Sequence, residues 1–155
     1  MSAHRRRTPL EQLFDRLNTE FFDGRIAPCA VRRSFVLARA HGCDGWYEPA
    51  HHRIVIQSGL SLQTERRVLI HEMCHARLPA YRGHGGPFLD QLRRLARRGE
   101  RWALDEADWY VHDPWLRIVD ELDDLDHQWH ALPPSASLQS RASLLARADR
   151  LLAKL

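Results

Sequence analysis

The run His71-Glu72-Met73-Cys74-His75 places two histidines four residues apart around a glutamate. On a helix, residues with that spacing lie on one face, one turn above the other. The motif therefore demands a helix with one side left open to a ligand. The neighbouring sequence agrees. A helical segment runs from about Ser61 or Thr64 to Leu78, with Val68, Leu69 and Met73 available to pack. Pro79 stops it, because proline lacks the amide donor and disfavours helix in the residue before it. Two imidazoles so placed can share one Zn²⁺ at about 2.0–2.1 Å. Glu72 lies beside the first of them and can take a proton from water acidified by the metal. The competing reading is an exposed helix with two incidental histidines.

A catalytic zinc site takes three protein ligands and keeps one position open. The third candidate is His84, in Gly83-His84-Gly85-Gly86-Pro87-Phe88. Glycines on both sides let the backbone fold back tightly, and at ~3.3 Å per extended residue the loop reaches a metal at His71 and His75. Glu100 is the rival. His41, His51, His52, His112, His127 and His130 read as surface residues, and Cys74 as a small packing residue on the ligand helix. Peptide hydrolysis would also need a donor for the oxyanion. Tyr81, Tyr110 and His112 are candidates by chemistry alone.

Around this motif the pattern is α+β. Thr8-Pro9-Leu10-Glu11 reads as a capped helix start, followed by a face of Leu10, Leu13, Phe14, Leu17 and Phe21 that ends at Asp23-Gly24. Ala30 to Ala38, Gly45 to Glu48 and Arg53 to Gln57 read as strands of a small antiparallel sheet, the last two joined as a hairpin through Pro49 to His52. After the motif, Pro87 opens a helix bearing Phe88, Leu89, Leu92 and Leu95. Asp113-Pro114 opens another, with Trp115, Ile118, Val119, Leu122, Leu125 and Trp129 inward. A last helix from about Ser140 to Leu155 carries a stripe of Leu144, Leu145, Ala148, Leu151, Leu152 and Leu155. The expected organisation is a core of residues 1–104 with an acidic helical extension, 105–155, packed on it as a single domain.

Charge follows that division. Residues 1–104 hold 18 Lys and Arg against 10 Asp and Glu, and residues 105–155 hold 5 against 10, which together give the chain its net +3. Arg93, Arg94, Arg97, Arg98 and Arg101 lie on or just after one helix and, with Arg5 to Arg7, offer weak, sequence-independent contact to DNA. The alternative is that they pair with Asp120, Asp123 and Asp124. The three cysteines, Cys29, Cys43 and Cys74, make an odd set without CxxC spacing, so neither a disulfide framework nor a zinc ribbon is expected. No apolar run follows Arg5 to Arg7 as a leader would require, and none is long enough to span a membrane. The expected location is the cytoplasm.

Several of these residues occur together in a known family. Leu13-Phe14 through Phe21-Phe22 with Gly24, Ile54 to Ser58, His71-Glu72-Met73-Cys74-His75-Ala76, and Gly83-His84-Gly85 ending in Phe88 resemble the SprT-like metalloproteases, which include the Spartan DNA–protein crosslink proteases. The resemblance spans about residues 10–100. It implies a zincin-like core with an HExxH active-site helix and a shallow, weakly selective cleft. It also implies His71, His75 and His84 as zinc ligands and Glu72 as catalytic base. Many relatives add a cysteine-bearing zinc ribbon that is not visible here. The expected function is zinc-dependent hydrolysis of peptide bonds in protein substrates. The alternatives are a nucleic-acid-binding module stabilised by zinc and a partner-binding protein with a vestigial site.

Overall fold

A computed structural model describes residues 7–37, 42–81 and 83–154. Arg5, Arg6, Ala38, His41 and Leu155 lie outside the described residues. The chain divides into two compact units, Met1–Pro79 and Ala80–Leu155.

The first unit starts with helix α1, Pro9–Phe22. Its capping box forms as the sequence predicts: the Thr8 hydroxyl accepts the Glu11 N–H at 3.2 Å, and the Glu11 carboxylate accepts the Thr8 N–H at 2.7 Å. Leu10, Phe14, Leu17, Phe21 and Phe22 are buried, whereas Leu13 lies at the margin. Asp23 at φ 55° ends the helix. The Asn18 amide then holds the returning chain, donating to the Ile26 carbonyl at 2.9 Å and accepting the Ile26 N–H at 3.1 Å.

Three strands follow: β1 (Ala30–Ser34), β2 (Gly45–Glu48) and β3 (Arg53–Gln57), with a single 3₁₀ turn at Pro49–His51 between the last two. The hairpin is present, with Trp46 opposite Val55 and Tyr47 opposite Ile54. The sheet order is β1-β3-β2, and β1 runs parallel to β3. The sheet is therefore mixed, not the antiparallel one expected. Ile54, Val55 and Ile56 are all buried, so β3 takes the centre. The hairpin occupies one of its edges and leaves the other to β1. Residues 35–52 are long enough for the crossover that a parallel partner needs.

Helix α2, Leu62–Arg77, is capped by the Ser61 hydroxyl, which accepts the Thr64 N–H at 3.1 Å. It packs against β2, β3 and α1. Leu69, Ile70, Met73 and Cys74 have no exposed surface, and each large apolar side chain so buried contributes about 1.5–3 kcal/mol. Arg33 on β1 donates to both carboxylate oxygens of Glu65, at 2.6 and 2.8 Å. This bond ties the edge strand to the first turn of α2, and the Glu65 hydrogen bond holds the Arg33 guanidinium above its usual pKa.

The second unit is helical: α3 (Gly86–Arg97), α4 (Trp102–His112), α5 (Pro114–Ala131) and α6 (Leu138–Leu152). α3 starts one residue before the predicted proline, Pro87, and buries Phe88, Leu92 and Leu95. α4 has no counterpart in the sequence pattern. Its N-cap position, Arg101, makes no side-chain cap bond, and its buried residues are Ala103 and Ala107, so neither a start signal nor a stripe of large apolar residues marks it. The expected inward face of α5 is only partly used. Leu125 is buried, whereas Trp115 is 61% exposed. On α6, Leu151 is buried and Leu145 and Leu152 are exposed. No helix among the described residues is long and apolar enough to cross a membrane.

Candidate metal centre

α2 carries the first two histidines as its periodicity requires. Met73 and Cys74 turn into the core, and His71 and His75 stay half-buried. The two rings meet edge to face with centroids 5.1 Å apart. Between them in sequence, Glu72 is 6% exposed. Its side chain fits only because Gly45, the first residue of β2, has none. A Cβ there would lie 2.6 Å from the Glu72 carboxylate oxygen and 2.5 Å from Val68 Cγ1. Cys43 lies near the same carboxylate. Burial raises its thiol pKa, and the charge of Glu72 raises it further.

His84 belongs to the second unit, in the turn that precedes α3. Its backbone N–H donates to Asp120 Oδ2 at 2.9 Å, and its Nδ1 lies 3.1 Å from Asp120 Oδ1. Its ring stacks on Tyr110, with centroids 4.4 Å apart and planes 10° apart, and meets the edge of Phe88 at 4.7 Å. The Tyr81 hydroxyl accepts the Gly85 N–H at 2.9 Å. A Cβ on Gly85 would come within 2.4 Å of that hydroxyl, so this glycine is required by the close approach. Burial raises the Tyr81 pKa and keeps the phenol protonated. A cavity of 410 Å³ opens beside His84, lined among others by Tyr81, Leu89, Tyr110, Val111 and Asp120.

His71, His75 and His84 each offer one ligand atom, and all three atoms lie within 4.8 Å of one another. The three histidines are thus close enough to bind a metal ion. Three neutral imidazole nitrogens suit zinc, so the donor set fits the ion that the sequence suggests. The other candidates lie elsewhere. Glu100 is buried and accepts the Trp102 indole N–H at 2.6 Å; among the described residues it does not join the histidine group. Of the three oxyanion candidates, Tyr81 and Tyr110 line the cavity beside His84. His112 is exposed, with Nδ1 directed at the Asp108 carbonyl, 2.9 Å away. His52 is structural: Nε2 donates to the Ala27 carbonyl, so Nδ1 accepts the Tyr47 hydroxyl.

Gly45 and Asp120 were missed as site residues. A glycine inside a strand signals close approach of another group, so Gly45 was findable. Nothing local in the sequence links Asp120 to His84, 36 positions away.

The molecule is thus an α+β protein in which three clustered histidines can hold a metal ion. The chain belongs to the SprT-like family, whose model matches residues 10–104. That span includes all three histidines and Glu72 and stops short of Tyr110 and Asp120. No curated protein and no solved structure matches the chain significantly.

Proposed function

We propose that this chain is a zinc-dependent metallopeptidase that hydrolyses peptide bonds in protein substrates, with His71, His75 and His84 as ligands and Glu72 as general base. The observation that carries this reading is the cluster of three histidines, with a buried carboxylate next in sequence to the first of them. Membership of the SprT-like family is compatible with it. Bound zinc supplies Lewis acidity to the scissile carbonyl and acidifies water. Glu72 accepts the proton of the attacking water and passes it to the leaving amine. Tyr81, protonated and beside His84, is the better-placed oxyanion donor, since Tyr110 is stacked on the histidine ring. The cavity beside His84 gives a substrate side chain room. A cytoplasmic location belongs to the same reading.

Zinc content and cleavage of casein, measured for wild type and Glu72→Gln, test this function. The variant should keep about one zinc per chain and its fold, and lose about 10²–10⁴-fold in rate, because an amide cannot accept the proton. Undiminished turnover, with contaminating protease excluded, would refute the mechanism.

One observation favours a second, additional role. Arg93, Arg97, Arg98 and Arg101 are exposed at the C-terminal part of α3 and just after it, a strip suited to weak contact with a phosphate backbone.

A further inference from the structure

We infer that Asp120, on a helix beyond the family-matched span, is a positioning residue for the metal centre and acts through His84. The inference rests on the reading of His84 as a zinc ligand. It starts from chemistry: an ionised carboxylate only accepts hydrogen bonds. With Asp120 Oδ1 3.1 Å from Nδ1 of His84, that nitrogen is the donor, and in the neutral ring the lone pair is then on Nε2. The second carboxylate oxygen accepts the backbone N–H of the same residue at 2.9 Å. Asp120 therefore holds both the main chain and the ring of His84.

Two further contacts complete the clamp. Tyr110 covers one face of the ring and Phe88 meets it edge-on. Phe88 is fully buried, so it is a rigid stop. This matters because His84 leaves a glycine-flanked turn that does not by itself fix a rotamer. A histidine ligand whose other nitrogen donates to a carboxylate has its tautomer and orientation set before the metal arrives, and its basicity raised. Tyr110 and Asp120 both follow residue 104, where the family match ends. The acidic extension thus takes part in the metal centre of this chain.

The test is zinc affinity by chelator competition, for wild type, Asp120→Ala, His84→Ala and the double variant, with metal-free thermal melts for each. Asp120→Ala should weaken zinc binding about 10–100-fold. Asp120→Glu, which restores a carboxylate, should recover part of the loss. In the His84→Ala background, Asp120→Ala should cost nothing further, because Asp120 acts only through His84. If Asp120→Ala binds zinc as tightly as wild type, or weakens it equally with and without His84, the inference is overturned. If instead wild type binds no zinc, or His84→Ala binds it undiminished, the ligand assignment itself fails. The metal-free melts separate an unfolded variant from a folded one with a looser site.

Discussion

Glu72 and Gly45 act as a pair. The carboxylate occupies the space a side chain at position 45 would fill. Gly45→Ala should displace Glu72 and Val68, destabilise the fold by about 1–3 kcal/mol and lower peptide hydrolysis by about 10²-fold, as expected for a misplaced catalytic group. Zinc content should not change. Wild-type rates in a folded Gly45→Ala protein would show that the carboxylate position is not critical. Cys29 offers a pH test that involves none of the proposed ligands. Its Sγ donates to the His52 carbonyl at 3.2 Å, and burial pushes its pKa from 9.0 to about 11. The folded chain therefore holds this proton more tightly than the unfolded chain, and unfolding releases it between those values. Stability should be intact below pH 9 and decline as pH rises towards 11. Melting temperatures of wild type and Cys29→Ala, measured across that window, should converge at high pH. A constant difference would place the titration elsewhere.

Among the elements, α3 has two distinct sides. Phe88, Leu92 and Leu95 are buried, while Arg93 and Arg97, with Arg98 at the C-cap, are exposed. Arg93 is paired on the surface with Asp90 at 3.2 Å, a contact worth little in water. Replacing Arg94, Arg97 and Arg101 with Gln should abolish low-salt binding of double-stranded DNA without lowering thermal stability. In wild type that binding should fall steeply as salt rises, because phosphate contacts release counterions. Lost stability with no DNA binding in either protein would assign the arginines to the fold instead.

The proposed metal binding belongs to the folded chain as a whole. His84 is separated from His71 and His75 by the end of α2 and a turn, and an unfolded chain holds the three together only at an entropic cost. Zinc should therefore stabilise the native state by mass action, by about 2.7 kcal/mol when free zinc is a hundred times Kd. For a chain of this size that is a rise of about 5–10 °C in Tm. EDTA should reverse it, and His84→Ala should respond much more weakly to both. An equal zinc response in His84→Ala would remove this histidine from the site.

The features legible along the chain are those with local causes. Thr8 and Glu11 close a capping box across three residues, Pro79 ends α2 through its own missing amide, and His71 and His75 share a face because the helical repeat puts them there. The three apolar residues of β3 mark it as buried without reference to any partner. What required the tertiary structure depends on distant neighbours. Which edge of β3 receives β1, and in which direction, follows from competition for backbone hydrogen bonds. Trp115 is exposed although its apolar stripe continues along α5, since a stripe does not say how far a neighbour covers it. α4 buries only alanines, so its packing leaves no stripe of large side chains. The support of His84 by Tyr110 and Asp120 comes from residues 26 and 36 positions away, respectively. Hydrogen bonds and ring stacking act over a few ångströms of space, and only the folded path of the chain brings those groups within that range.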